Sequence, residues 1–282
     1  MRFFTTNRIR NHMKILTKGE YYGSQNSESS FNGVLLSQYT YLTDRTDWHY
    51  HENPYFMYVL SGNMKDCNTK TSTQCPAGSL MFNNWQEPHY GSKHSDRASG
   101  FHLEFEKDWL AKNGIVIDLW EGSQLIQNPK LHFLFANIYR EFVMSDKLSP
   151  VTVEVLLLQV CDALSHVKQS NANENPEWVA NLKEILHYDT SELSLHYLSK
   201  ELNVHPVHLS RAASKYLSMG LGEYIRQQKL KKAFPLLLDL SHSLTEIAYQ
   251  TGFSDQSHFN RVFKRYFGTN PKAYRKMMMK SF

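Results

Sequence analysis

The N-terminal part of the chain contains three histidines that could together bind a metal ion. His49 and His51 stand one residue apart, and His89 follows after further apolar segments. Three imidazoles could hold Zn²⁺ or Fe²⁺ and leave coordination positions open for another ligand. The same side chains could instead line a pocket for a small organic molecule.

Aromatic residues surround these histidines in the sequence and favour the second interpretation. Aromatic faces with a few polar donors would suit a sugar or an aromatic acid. The expected pocket residues are Trp48, His49, His51, Tyr55, Trp85 and His89. Burial in an ordinary core is the alternative for the neighbouring aromatics, and it applies above all to Phe56, Tyr58 and Phe82.

A second set of chemically informative residues lies near the C-terminus. Ser243 and Glu246 have the spacing of a capping box that begins a helix, and Gly252 suits the left-handed conformation that ends it. A second helix follows, which we expect Ser254 to cap. Its exposed polar side chains suit hydrogen bonding to base edges. They are Gln256, Ser257, Asn260 and Arg261.

A similar pattern lies about fifty residues upstream. We expect His205 to cap a helix with Pro206 in its first turn. The outward residues there are Val207, His208, Ser210 and Arg211. Lys215 and Lys264 are expected to contact phosphate, which positions a protein without specifying sequence. For Arg211 and Arg261, base contact, phosphate contact and an internal ion pair remain open.

The elements that must position these residues fall into two domains. Short apolar segments between residues 31 and 105, separated by turn residues, predict a β-sandwich or barrel. Helical spacing follows over residues 129–144 and 149–167. We place a sensing and dimerisation domain at residues 1–168, a linker at 169–176 and a helical domain at 177–282. The apolar helix 149–167 packs either on a second subunit or only within its own domain.

The C-terminal pattern resembles the AraC/XylS family of bacterial transcription regulators. The residues that carry the resemblance are Ile247-Ala248, Gly252-Phe253, Ser257-x-Phe259-x-Arg261-x-Phe263-Lys264 and Gly268-x-x-Pro271-x-x-Tyr274-Arg275. The resemblance covers residues 176–276 and implies two helix-turn-helix units joined by a long helix near residues 221–238. The upstream unit departs from the pattern at Ala213, Ser214 and Ser218, and Pro235 interrupts the joining helix.

The histidine region resembles a cupin barrel, in which an H-x-H pair, a glutamate and a later histidine meet at a metal. Tyr55 stands at the glutamate position, and Asn84 and Gln86 replace the usual proline and glycine. Because the carboxylate is missing, we expect neither a metal nor another cofactor. The fold implied is α+β with two domains: a cupin-like β-barrel with dimerisation helices, then an all-α domain.

Charge and cysteine content agree with this division. From Pro176 onward there are 15 Lys and Arg against 9 Asp and Glu, whereas the remainder has 16 against 18. A basic module beside a slightly acidic one suggests contact with a polyanion. Three cysteines without a CxxC motif fit a reducing cytoplasm, and no secretory signal or long apolar segment is evident.

The sequence therefore predicts a cytoplasmic, sequence-specific DNA-binding regulator that is not an enzyme. In the family that it resembles, such proteins are most often activators. The expected partners are double-stranded DNA, a small-molecule effector, a second copy of the chain and, for an activator, RNA polymerase, with no membrane contact. Two other hypotheses remain open: a metal-dependent cupin enzyme with a DNA-binding appendage, and a dimeric regulator that responds to no ligand.

Overall fold

The structure, a computed structural model, describes residues 13–85, 87–115, 122–171, 176–188, 193–217 and 219–278. The chain divides into two compact units, Met1–Gln127 and Asn128–Phe282. Strands dominate the first unit, and helices make up the second. The α+β fold class expected from the sequence is thereby confirmed.

Two sheets form the first unit. One has the strand order β1-β4-β9-β6-β7 and the other the order β11-β8-β5-β10-β3-β2. All neighbouring strands are antiparallel except β1 and β4, which run parallel. The strands are β1 (Lys14–Leu16), β2 (Ser24–Phe31), β3 (Val34–Tyr41), β4 (His49–His51), β5 (Tyr55–Ser61), β6 (Asn63–Asn68), β7 (Ser72–Pro76), β8 (Leu80–Asn83), β9 (His89–Lys93), β10 (Ala98–Phe105) and β11 (Ser123–Ile126).

The two sheets share one hydrophobic core. Tyr39, Met57 and Met81 from the six-stranded sheet pack in the same cluster as Met64 and Cys75 from the five-stranded sheet. Strand β10 is buried along its whole length although apolar and polar residues alternate from Phe101 to Phe105, so His102 and Glu104 are buried polar groups. Among the described strands the hydrogen bonding does not close into a continuous ring, so this unit is cupin-like in having two packed sheets.

Helices follow almost without interruption. Helix α1 lies in the first unit, and the others belong to the second. They are α1 (Lys107–Lys112), α2 (Pro129–Met144), α3 (Ser149–Asn171), α4 (Glu177–Tyr188), α5 (Leu195–Glu201), α6 (Pro206–Leu217), α7 (Leu221–Leu238), α8 (Leu244–Gln250), α9 (Gln256–Phe267) and α10 (Pro271–Met278). Of the expected linker 169–176, residues 169–171 continue α3 and residues 172–175 lie outside the described part of the chain.

Helix α2 packs with the C-terminal helices, although the sequence analysis placed it in the sensing domain. The ring of Phe133 stacks on that of Phe267 with centroids 5.0 Å apart. The Tyr274 hydroxyl donates to the Ala136 carbonyl at 3.0 Å, and Arg140 Nη1 donates to the Phe267 carbonyl at 2.9 Å. Helix α2 is apolar around most of its circumference, so it has surface to bury against α7 and α10 as well as α3.

Helix α7 is the long joining helix implied by the family resemblance, and it begins and ends at the expected residues, Leu221 and Leu238. Pro235 lies inside it, and the helix continues for three more residues before its C-cap at Asp239. A proline removes one backbone donor and crowds the preceding turn. Because Pro235 lies in the last turn, the missing hydrogen bond affects only the end of the helix.

All three cysteines are buried as thiols, outside any disulfide among the described residues. Burial raises the pKa of both the Cys75 and the Cys161 thiol to about 12. These thiols therefore remain protonated at neutral pH, and the thiolate that reacts in oxidation and alkylation is scarce.

The described part of the chain contains no helix with the length and apolar character that crossing a membrane requires.

We predict that α2 stabilises the end of the C-terminal unit. Phe133→Ala removes a buried aromatic ring and should lower the free energy of unfolding of this unit by about 3–5 kcal/mol. Hydrogen exchange followed by mass spectrometry should then show faster exchange in residues 256–278. Met144→Ala, at a half-exposed position on the same helix, is the matched control and should leave this exchange unchanged. Faster exchange in the strands alone would contradict the assignment of α2 to the C-terminal unit.

Candidate functional site

The second helix-turn-helix unit has the local structure that its sequence predicts. Ser243 and Glu246 form both bonds of a capping box at the start of α8. Gly252 adopts a φ of 81°, and its N–H donates to the Tyr249 carbonyl. Asp255, and not Ser254 as expected, caps α9 by accepting a bond from the His258 N–H. A carboxylate at this position satisfies a free N–H and also interacts favourably with the helix dipole.

The solvent face of α9 carries the residues that the sequence assigns to base contact. Ser257, Arg261 and Lys264 are exposed, whereas Gln256 and Asn260 are half-buried. Gln256 Oε1 accepts a bond from the Thr245 hydroxyl at 2.6 Å, which holds it against α8. Asn260 Oδ1 has no hydrogen-bond partner among the described residues.

The opposite face of α9 fixes its position. Phe259, Val262 and Phe263 are buried at the predicted helical spacing. Tyr266 donates to Glu223 on α7, and Arg226 of α7 donates to the same carboxylate at 2.8 Å. Although burial would raise it, the pKa of Glu223 lies below its usual value because both donors stabilise the carboxylate. Helix α9 is thus attached to the joining helix by apolar packing and by a charged network.

The first helix-turn-helix unit has a parallel construction. Ser194 caps α5, and Asn203 occupies the left-handed region at the turn with a φ of 49°, where the second unit has glycine. Helix α6 begins at Pro206, and His205 Nδ1 accepts a bond from the Val207 N–H at 3.3 Å, as expected of a cap. The residues assigned to DNA contact are all exposed: Val207, His208, Ser210, Arg211 and Lys215.

Of the departures from the family pattern in this unit, the one at Ala213 changes the packing of the core. Ala213 lies fully buried where the family usually has phenylalanine, so α6 fills this part of its core with a smaller side chain. Ser214 is exposed, and the departure at Ser218 lies outside the described residues. Neither Arg211 nor Arg261 forms an ion pair within 4 Å in the described part of the chain. Both guanidinium groups therefore face solvent.

A separate cavity of about 60 Å³ lies in the N-terminal unit. Four of the six expected pocket residues line it: His49, His51, Tyr55 and His89. The other two lie elsewhere. The Trp48 ring packs edge-on against Tyr90 at 5.0 Å, and the Trp85 ring lies 3.5 Å from the Lys107 ammonium.

Backbone carbonyls hold His49 and His89, whereas His51 packs against both rings and its Nδ1 has no hydrogen-bond partner among the described residues. His49 Nδ1 lies 2.8 Å from the Asp47 carbonyl, and His89 Nδ1 lies 2.9 Å from that of Glu87. A nitrogen that faces a carbonyl carries the proton, so Nε2 of both rings offers a lone pair. Burial lowers the pKa of all three imidazoles, that of His49 to about 3. They are therefore neutral at pH 7.

The fit of this triad to a metal is incomplete. One nitrogen of each ring lies within 4.8 Å of the others, and rings whose Nδ1 donates to a carbonyl are well oriented for coordination. Tyr55 stands at the position where a cupin supplies a carboxylate. Its hydroxyl lies 3.1 Å from His89 Nε2 and occupies the lone pair that a metal would need. The residues thus favour a hydrogen-bonded cluster, and Gln86, next to the triad in sequence, lies outside the described residues.

Several cavity residues escaped the sequence analysis. The Tyr21 ring stacks on that of His102 with centroids 3.8 Å apart, and the Tyr41 hydroxyl lies 3.0 Å from His102 Nε2. Asp66 and Gly91 also line the cavity, on neighbouring strands. The sequence contained a signal for Asp66. Residues two apart in a strand share one face, so Asp66 places a carboxyl on the same face as the apolar Met64.

Comparison with known proteins supports the assignment of the C-terminal unit. Residues 198–277 match a protein-family model described as a helix-turn-helix domain. The Msm operon regulatory protein of Streptococcus mutans is 34% identical over 114 residues, which are 40% of this chain and 41% of that protein. An uncharacterized HTH-type transcriptional regulator of Staphylococcus aureus (strain COL) is 22% identical over 231 residues, 77% of this chain and 31% of that protein. The chain thus spans well under half the length of these curated relatives.

Solved structures show similarity of the same kind. Apo ToxT from Vibrio cholerae, with 14% identity, covers 88% of this chain and 98% of its own with a TM-score of 0.40. The C-terminal domain of the response regulator yesN from Fusobacterium nucleatum, with 33% identity, covers 35% of this chain and 95% of its own with a TM-score of 0.32.

The family motif, the two capped helix-turn-helix units that carry it and the match over residues 198–277 lead to one assignment. The chain carries, in its C-terminal part, a helix-turn-helix DNA-binding domain of the AraC/XylS family.

Proposed function

We propose that this protein is a cytoplasmic, sequence-specific transcription regulator whose DNA binding responds to a small molecule held in the N-terminal unit. The observation that carries the proposal is the solvent face of α9. On a helix whose other face is buried, Ser257 and Arg261 are exposed, and Arg261 forms no ion pair within 4 Å among the described residues. An exposed arginine in the middle of a recognition helix suits guanine N7 and O6.

The two helix-turn-helix units would act together on one duplex. Both have a capped helix with an exposed polar face, and both pack against α7. Linking two readers raises the effective concentration of the second contact once the first has formed. We assign base contact to Val207, Ser210, Arg211, Ser257, Asn260 and Arg261, and phosphate contact to Lys215 and Lys264. Gln256 and His208 complete the contact surface.

We further propose that two copies of the chain associate through α3. Four apolar side chains around the start of α3 are between 42% and 71% exposed. They are Leu148, Val151, Val155 and Leu158. Their spacing of three and four residues places them in one stripe along the helix, as in a two-helix coiled-coil contact. A homodimer would place two DNA-binding domains on adjacent sites and, in an activator, would present them to RNA polymerase.

The function is tested first by selecting bound DNA from a random library with the full chain at fixed salt. We expect a motif of two boxes about one helical turn apart, because each domain holds two recognition helices. Binding that depends on salt and shows no sequence motif would contradict sequence-specific regulation.

Arg261→Ala tests the role of the recognition helix on the selected site. If the guanidinium contacts a base, the binding free energy should fall by about 1–3 kcal/mol and specificity should relax at one position. Arg265→Ala, an exposed arginine four residues further along α9, is the matched control. Competition binding against single-base variants of the site measures the loss of binding free energy and the change in specificity. An equal loss on all sequences would make Arg261 a phosphate contact.

The dimer is tested with Val155→Arg and Leu158→Arg, which put charge into the apolar stripe of α3. We expect sedimentation velocity to show a dimer for the unsubstituted chain and a monomer for the doubly substituted one, because burying two unpaired cations outweighs the apolar contact. Leu240→Arg, at an isolated exposed leucine, should remain dimeric. A monomeric unsubstituted chain at micromolar concentration would refute the proposal.

A further inference from the structure

Several polar groups around the N-terminal cavity are paired with one another, although His51 Nδ1 and His102 Nδ1 have no hydrogen-bond partner among the described residues. Tyr41 pairs with His102, and Tyr55 pairs with His89. His49 is bonded to a backbone carbonyl, and the Thr46 hydroxyl accepts from the Gly91 N–H at 3.0 Å. A ligand with many hydroxyl groups would find few free partners here, and each unpaired buried polar group costs free energy.

Asp66 is the unpaired carboxyl among the described residues that line the cavity. Its side chain lines the cavity and is only 7% exposed, yet no donor or cation binds its carboxyl among the described residues. Burial alone raises its pKa to about 7. Glu104, also buried in this unit, accepts bonds from Gly19 N, Tyr21 Oη and Asn53 Nδ2. A buried carboxyl without such partners is expensive, and a site that retains one has a use for it.

Space is available next to this carboxyl. Asp66 on β6 lies opposite Gly91 on β9. A Cβ added at Gly91 would meet only Met64 Cε, at 4.0 Å, so the position is open. The cavity as a whole has room for a few waters or a small organic group.

The surrounding side chains favour a cation with an apolar body. Tyr21, Tyr22, Tyr41 and Tyr55 line the cavity, and ring faces attract cations. Two lysines border it as well. Lys93 is bonded to the Asp96 carbonyl and lies 3.7 Å from an Asp44 carboxylate oxygen, and Lys65 precedes Asp66 in the strand, so its side chain points to the opposite face.

We propose that the effector is a small organic amine whose ammonium group binds the Asp66 carboxylate while its apolar part lies against the tyrosine rings and over Gly91. This inference rests on the proposed function, since it names the chemical class of the effector. An aromatic acid, one of the two classes expected from the sequence, would bring a second carboxylate beside Asp66. A sugar, the other class, carries several hydroxyl groups but no positive charge to neutralise the Asp66 carboxylate.

Binding is tested on the full chain at pH 8 with three probes of one shape: isobutylamine, isobutanol and isobutyrate. We expect ligand-observed NMR titration to detect the amine and to show affinity for the other two at least tenfold weaker. Asp66→Asn should weaken amine binding at least tenfold, and Gly91→Val should do the same by filling the space. Asp96→Asn, which removes an exposed acid of the same unit, should have no effect.

Equal binding of isobutanol or isobutyrate, or undiminished amine binding by both Asp66→Asn and Gly91→Val, would overturn the inference. The DNA selection described above is independent of these probes. A chain that selects a DNA motif but binds no amine refutes the ligand class and leaves the proposed regulator intact.

Thermal stability gives a second readout that needs no ligand. The pKa of Asp66 is higher in the folded state than in the unfolded chain, so the folded state binds more protons and stability falls as pH rises towards 7 and slightly above. The ionisable groups around it are Tyr55, Cys75, Glu87, His89 and Lys93. Asp66→Asn should therefore melt at a higher temperature than the unsubstituted chain at pH 8, and the difference should shrink at pH 5. A difference independent of pH would mean that Asp66 has a partner.

Discussion

An aromatic cluster at the centre of the C-terminal unit determines where the second recognition helix lies. Phe263 and Phe267 of α9 stack with centroids 4.3 Å apart, and both contact Tyr274 of α10. Phe234 of α7 and Phe133 of α2 close the cluster from two further elements. Because four helices meet in one set of rings, none of them can shift without disturbing the packing of the others. The solvent face of α9 is thus positioned by side chains that never approach DNA.

The N-terminal unit depends on buried hydrogen bonds, in addition to apolar packing. Its interior contains buried histidines, tyrosines and carboxyls, and several of them are stabilised by bonds to one another or to backbone carbonyls. Such networks hold side chains in defined rotamers and so pre-form a cavity. The Asp66 carboxyl differs from that of Glu104, the other buried carboxyl described above, which accepts three hydrogen bonds.

Sequence reasoning succeeded where local chemistry fixes the structure. The capping box at Ser243, the left-handed turn at Gly252 and the buried face of α9 are each determined by residues close together in the chain. It fell short where distant segments meet. The contact of Phe133 with Phe267 and the register of Asp66 with Gly91 depend on packing and strand pairing, which periodicity alone cannot supply. The side chains of Trp48 and Trp85 lie outside the cavity for the same reason.

The bond from Arg140 to the Phe267 carbonyl has a consequence for the electrostatics of α9. Phe267 is the last residue of that helix, and its carbonyl lies at the negative end of the helix macrodipole. Arg140 of α2, whose Nη2 also pairs with Glu141, therefore supplies a charged hydrogen-bond donor to the end of α9 that is farthest from its first exposed turn. Withdrawal of α2 would leave this terminus uncompensated and prone to fraying. The helix to which we assign base contact would then be loosened at its C-terminal end, while the side chains on its solvent face stay unchanged.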